Sequence, residues 1–106
     1  WSGWRTDRRT RPDAVIAAND LLALGVLRAA TTDGVAVPRE MAVVGVDDIP
    51  FARIFAPSLT SVSLRARTRG RLAARLLLDR MGDPSRAPRD VSVSPELIVR
   101  ESSWAR

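Results

Sequence analysis

Residues 41–48, MAVVGVDD, together with residues 14–20, AVIAAND, decide which fold this chain is predicted to have. Each stretch is a short, β-prone apolar run that ends abruptly in carboxylate and amide side chains. Continuous apolar runs are typical of strands that are buried on both faces, as in a parallel sheet covered by helices. In such sheets ligands bind beyond the carboxyl ends of the strands, so these polar residues are expected to line a crevice for a polar ligand.

The composition limits the chemistry that the chain can perform. Its 106 residues suffice for at most one small domain, and its 45% hydrophobic and 27% charged residues are ordinary for a globular chain. The lack of cysteine and histidine excludes disulfides and removes most metalloenzyme and catalytic-triad hypotheses. We expect no metal and no cofactor. No apolar run is long enough to cross a bilayer, so no membrane contact is expected either.

The net charge of +5 admits a nucleic-acid interpretation, because basic surfaces neutralise phosphates. All 17 cationic side chains are arginines, however, and they are scattered along the chain. No aromatic side chains interleave with them as stacking platforms would. We favour a solvated surface, and the lack of lysine looks like the codon composition of a GC-rich genome.

The pattern of apolar residues predicts an α/β order of elements. Residues 1–11 are polar and are expected to be a truncated or irregular lead-in to a fragment of a longer protein. Asn19 is a good helix N-cap, and Gly34 is expected to end the helix that follows. The expected strands lie near residues 14–18, 42–46, 59–63, 91–93 and 97–99, and the expected helices near 19–31, 51–55 and 65–81.

Four polar residues follow the first two strands: Asn19, Asp20, Asp47 and Asp48. If the strands are parallel neighbours, Asn19 offers donors and an acceptor beside Asp47, which offers acceptors only. That pair suits the vicinal hydroxyls of a sugar or the N–H groups of a base. Two alternatives stay open at this point: the residues cap a helix and a turn without any ligand, or the adjacent carboxylates form a metal or acid–base pair.

Leu24, Ile54 and Phe55 are apolar residues on short elements near the predicted surface. Packing in the core and contact with a second subunit are both open interpretations of these positions.

Several ordered motifs resemble the LacI/GalR family of transcriptional regulators. They are RPDAVIAANDLLALG (11–25), VP (37–38), VVGVDDIP (43–50), PSLTSV (57–62), Gly70 with AA (73–74) and LL (76–77), and PELIVRES (95–102). The resemblance covers residues 11–103, nearly the whole chain. Several motifs in a consistent order make it more specific than any single motif.

The resemblance implies the carboxyl-terminal part of an effector-binding (sensor) domain, an incomplete α/β fold with the parallel βαβ layers of a type I periplasmic binding protein. Residues 12–103 would be a partial sensor domain, with 12–62 and 90–103 in one subdomain and the helix at 65–82 in the other. A sugar or nucleobase effector would bind between the subdomains of a cytoplasmic homodimeric repressor. DNA would be contacted only through an amino-terminal helix-turn-helix that this sequence does not contain.

Residue by residue, the resemblance implies that Asn19 and Asp47 contact the effector and that Leu24 and Phe55 lie in the dimer interface. It assigns structural roles to Asp20 and Asp48, and no catalytic residue. A solute-binding component of a sugar transporter, which shares the fold, is the alternative function. A carboxylate enzyme is a third hypothesis.

The resemblance also predicts a weakness of this chain. Because the second subdomain would contribute only one helix, the leucines at 72, 76 and 77 are expected to lack packing partners. We therefore expect the chain alone to be marginally stable or to depend on a partner.

Overall fold

The computed structural model describes residues 9–104 and has the predicted α/β order. Residues 1–8 of the expected lead-in lie outside the described residues, and residues 9–11 form a turn and a bend. The elements are β1 (Ala14–Ile16), α1 (Asp20–Asp33), β2 (Ala42–Val46), α2 (Phe51–Ile54), β3 (Thr60–Ser63), α3 (Ala66–Gly82) and β4 (Glu96–Ile98).

The four strands form one sheet in the order β1-β2-β3-β4. The first three strands are parallel, with Ile16 opposite Val44 and Val46 opposite Val62, whereas β4 runs antiparallel to β3. The prediction that the two polar-ended strands are parallel neighbours is therefore confirmed. Their carboxyl ends lie at the same edge of the sheet.

Helix α1 begins and ends where the sequence places its caps. The side chain of Asn19 accepts a hydrogen bond from the backbone N–H of Leu22 at 2.9 Å. Gly34 has a φ of 71°, and its N–H donates to carbonyl groups of the last turn. Between these caps α1 packs on β2 and buries one face, contributed by Ala23, Leu27 and Ala30.

The sheet is buried on one face rather than on two. Val43 and Gly45 of β2 are buried on the side of α1, whereas Val44 and Val46 are half-buried. Ile16 in β1 is 79% exposed. The expectation of strands buried on both faces is therefore wrong for residues 9–104, because in this part of the chain α1 is the only helix that packs extensively on the sheet.

The segment after α3 also differs from the prediction. Residues 91–93 form no strand, and β4 is restricted to three residues. Val91 and Val93 instead line a groove with Leu72 and Leu76 of α3. In the described part of the chain these residues have no neighbouring strand to supply a hydrogen-bonded ladder, so their β-propensity has no effect.

Helix α3 buries none of its residues. Leu72 and Leu76 are half-buried, whereas Leu77 is 61% exposed. The Cα radius of gyration is 18.8 Å, against about 13 Å for a compact chain of this length. Helix α3 and the return segment therefore project from the sheet. None of the helices within residues 9–104 combines the length and apolar character that a membrane span requires.

Candidate functional site

Asn19 and Asp47 occupy equivalent positions at the carboxyl edge of the sheet. Asn19 lies three residues beyond Ile16, and Asp47 lies three residues beyond Val44, the partner of Ile16 in the register of β1 and β2. The oxygen of the Asn19 side chain caps α1, while its amide nitrogen has no hydrogen-bond partner among the described residues. The exposed carboxylate of Asp47 likewise has no partner among residues 9–104. One free donor and one free acceptor group thus follow two adjacent strands.

The backbone after β2 turns through an uncommon conformation. Asp47 has a φ of 108° and Asp48 a φ of 52°, both in the left-handed region that non-glycine residues avoid. Hydrogen bonds from three successive N–H groups hold this turn. Asp47 donates to the carbonyl of Val62 at 2.9 Å, Asp48 to the Ser61 hydroxyl at 3.0 Å, and Ile49 to the Asp20 carboxylate at 2.8 Å.

Asp20 is buried in the first turn of α1 and acts within the fold. Its carboxylate accepts hydrogen bonds from the Ser61 hydroxyl at 2.6 Å and from the N–H of Ile49. A buried carboxylate is tolerated when such charge-assisted bonds replace water. Asp20 therefore links α1, β3 and the turn after β2, and its oxygens are not presented to a ligand.

Asp48 is paired with two arginines, and neither pair was predicted from the sequence. Its carboxylate lies 2.5 Å from Nη2 of Arg100 and 3.4 Å from Nη2 of Arg53. Arg100 is separated from Asp48 by 52 positions, and no local spacing connects the two. The only sequence signal was its place in the motif at residues 95–102.

The three acids consequently do not converge on one point. Asp20 is bonded to Ser61 and Asp48 to Arg100, whereas the Asp47 side chain is exposed to solvent. Across residues 9–104 there is also no group of three acids close enough together to hold a metal ion. This arrangement gives no support to a metal or acid–base pair and fits the recognition of a polar ligand.

The two residues implied in subunit contact lie in α1 and directly after α2. Leu24 in α1 is half-buried and packs against the core. Phe55 directly follows α2 and is 37% exposed, next to the more exposed Phe51 and Ile54 of the same helix. Leu24 therefore takes part in core packing, whereas the α2 region presents apolar side chains to solvent.

Comparison with known proteins identifies the family. Residues 2–103 match the model of the periplasmic binding protein-like domain. The HTH-type transcriptional repressor PurR of Mannheimia succiniciproducens is 37% identical over 92 residues, which are 87% of this chain and 28% of that protein. The chain thus spans little more than a quarter of the length of this relative.

Solved structures give the same result. A LacI-type transcription regulator from Bifidobacterium animalis subsp. lactis superposes with a TM-score of 0.86 at 33% identity, covering 98% of this chain and 37% of that one. The transcriptional regulator CelR in complex with cellobiose superposes with a TM-score of 0.81 at 42% identity, covering 86% and 28% of the two chains. This chain therefore belongs to the periplasmic binding protein-like domain family, as part of an effector-binding domain of the LacI/GalR type.

Proposed function

We propose that this chain is the effector-binding and dimerisation part of a transcriptional repressor. It binds a small sugar-like or nucleobase-like ligand, and binding alters the affinity of a separate helix-turn-helix for its operator. The observation that carries the proposal is the placement of the free Asn19 amide and the free Asp47 carboxylate at one register of two parallel strands. The relatives described above are regulators, which supports a binding role rather than catalysis.

The free groups define the ligand chemistry. A carboxylate accepts hydrogen bonds and donates none, so Asp47 requires a ligand with hydroxyl or ring N–H donors. The Asn19 amide requires an acceptor on the same ligand. Adjacent hydroxyl groups of a sugar satisfy both requirements, and so does the edge of a nucleobase. Cellobiose bound to CelR is a ligand of the first kind.

We further propose that residues 12–62 and 90–103 act as one subdomain, apart from Val91 and Val93, which lie beside α3, and that the helix at 65–82 belongs to the other. Strand β4 pairs with β3, and Val43 donates to the carbonyl of Ser102, so the carboxyl-terminal residues return to the sheet. Helix α3 buries no residue on this sheet. An effector that binds the closed arrangement better would shift the population towards it and so change operator affinity.

We assign dimerisation to Phe55 and its exposed apolar neighbours and to the half-buried Leu24 of α1. Phe51, Ile54 and Phe55 expose apolar side chains together, and exposed apolar patches on soluble domains mark contact surfaces. A regulator that binds an operator works in the compartment that holds the chromosome, so the proposal implies a cytoplasmic protein. The alternative, a solute-binding component of a sugar transporter, shares the fold but has no support from the relatives described above.

The test is ligand binding by the complete regulator that carries this chain. Calorimetry with cellobiose, other mono- and disaccharides and free nucleobases is expected to find a ligand that also changes operator affinity. Asp47→Asn is expected to weaken that ligand about tenfold or more, because a hydrogen bond to a charged group contributes about 1.5–3 kcal/mol. Asp90→Asn, at another exposed carboxylate, is the matched control. Equal affinities for Asp47→Asn and the unmodified protein would contradict the proposed site.

A further inference from the structure

Arg100 joins the turn that carries Asp47 to the beginning of β3. Its terminal nitrogen Nη2 lies 2.5 Å from the Asp48 carboxylate, and Nη1 donates to the carbonyl of Leu59 at 2.7 Å. The Arg100 and Asp48 side chains are only 13% and 10% exposed. Because the two donor nitrogens of one planar guanidinium bond different acceptors, they fix the orientation of the Asp48 carboxylate as well as its distance from Leu59.

The backbone that carries Arg100 is anchored independently of Asp48. Ser102 is fully buried, and its hydroxyl donates to the carbonyl of Val43 at 2.6 Å. Its N–H donates to the carbonyl of Ser58 at 2.9 Å, and the N–H of Val43 donates to the Ser102 carbonyl at 2.8 Å. The N–H of Arg100 itself donates to the Thr60 hydroxyl of β3 at 2.8 Å, so the backbone that carries the guanidinium is fixed without Asp48.

Among the described residues, the hydrogen bond from its backbone N–H to the carbonyl of Val62 is the only one that Asp47 makes. Its carboxylate has no partner within residues 9–104, and its φ lies in the left-handed region, as does that of Asp48. Such conformations persist only where the surroundings hold them. The neighbouring Asp48 is held at two points: its N–H donates to the Ser61 hydroxyl, and its carboxylate pairs with Arg100 and, more weakly, with the exposed Arg53.

We propose that Arg100 is a positioning residue for effector binding: by holding Asp48, it keeps the preceding Asp47 carboxylate directed towards the ligand. This inference rests on the proposed function. A site whose competent conformer is present in only a fraction of molecules loses affinity by that fraction. If the turn is held in about one molecule in ten, apparent affinity falls about tenfold.

Three variants separate this role from general stability. Arg100→Met keeps the apolar stem and removes the guanidinium, while Arg100→Lys keeps the charge but replaces the planar fork of two donor nitrogens with a single nitrogen. Asp48→Asn removes the negative charge from the Arg100–Asp48 pair while keeping a residue that tolerates a left-handed conformation. Arg53→Met is the matched control, since it removes the other partner of Asp48, a side chain that is 68% exposed.

The first readout needs no ligand. Amide hydrogen exchange of the complete regulator, followed by mass spectrometry on peptides covering residues 44–50, is expected to accelerate at least tenfold in Arg100→Met and Asp48→Asn. Arg53→Met is expected to leave it unchanged, and peptides from α1 are expected to exchange equally in all proteins. Unchanged exchange at residues 44–50 in both Arg100→Met and Asp48→Asn would overturn the positioning role.

The second readout is the dissociation constant for cellobiose. We expect it to rise about tenfold in Arg100→Met and to recover partly in Arg100→Lys, with less than a threefold change in Arg53→Met. Equal affinity in Arg100→Met despite faster exchange would overturn the link between the turn and binding. Absence of a ligand among the sugars and nucleobases for the unmodified protein would instead overturn the proposed function, and the exchange comparison would still decide whether Arg100 holds the turn.

Discussion

Gly45 and Asp20 touch where α1 meets the sheet, and the contact requires a glycine. A Cβ on Gly45 would overlap a carboxylate oxygen of Asp20 and would lie 3.1 Å from Cδ2 of Leu59. The bare backbone of β2 thus lets a buried carboxylate reach across it to the Ser61 hydroxyl on β3. The same carboxylate fixes Ile49, two residues beyond Asp47, so the packing of one glycine sets the geometry of the site.

Gly45→Ala is expected to destabilise the protein. The added methyl group displaces the Asp20 carboxylate from Ser61 and Ile49, and overpacking of a tight site costs about 1–3 kcal/mol. Denaturant unfolding followed by circular dichroism measures the loss. Gly70→Ala in α3 is the control: nothing lies within 4 Å of that position, and alanine is favoured over glycine in a helix by about 0.5–1 kcal/mol. Equal effects of the two substitutions would contradict the contact.

Asn19 combines a structural and a proposed ligand role, and two substitutions separate them. Asn19→Ser keeps an oxygen that caps α1 and removes the amide donor, so we expect near-normal stability and weaker effector binding. Asn19→Ala removes the capping oxygen as well as the amide donor, and it is expected to lower the free energy of unfolding by a further amount of about 0.5–2 kcal/mol, the usual value of an N-cap. Thermal unfolding and calorimetry give the two quantities. Normal ligand affinity in Asn19→Ser would show that capping is the only role of this residue.

Phe55→Asp is expected to weaken the proposed dimer. The side chain is 37% exposed beside Phe51 and Ile54, and a charge in the centre of an apolar contact leaves it without water or partner. Sedimentation equilibrium of the complete regulator is expected to show at least a tenfold higher dimer dissociation constant, which corresponds to about 1.4 kcal/mol. Phe55→Leu, which keeps the position apolar, is expected to remain dimeric. An unchanged dimer in Phe55→Asp would place the interface elsewhere.

The local elements of the fold could be predicted because their signals are local. The run at residues 42–46 coincides with β2, and Asn19 and Gly34 bound α1 as their cap chemistry predicts. The parallel pairing of β1 and β2 followed from one strand–helix–strand unit. For the same reason, the placement of Asn19 and Asp47 at one edge of the sheet could be predicted, whereas their equivalent register could not.

The remaining contacts could not be predicted, because they join distant parts of the chain. The Arg100–Asp48 ion pair and the Ser61–Asp20 hydrogen bond cross 52 and 41 positions, and no periodicity encodes either. The strand expected at residues 91–93 failed for a related reason. Valines favour a strand only where a neighbouring strand accepts their backbone hydrogen bonds, and here Val91 and Val93 lie beside α3 instead.

The same leucine truncation is expected to destabilise the chain strongly on α1 and hardly at all on α3. In the isolated 106-residue chain, Leu27→Ala removes a side chain that is 1% exposed and should cost about 2–5 kcal/mol, enough to unfold a marginally stable chain. Leu77→Ala, at a position 61% exposed, should stay within about 0.5 kcal/mol. Thermal melting by circular dichroism measures both. In the complete regulator the cost of Leu77→Ala should rise above 1 kcal/mol, about the value for a half-buried leucine, if α3 packs in a second subdomain. An unchanged small cost there would contradict the two-subdomain assignment.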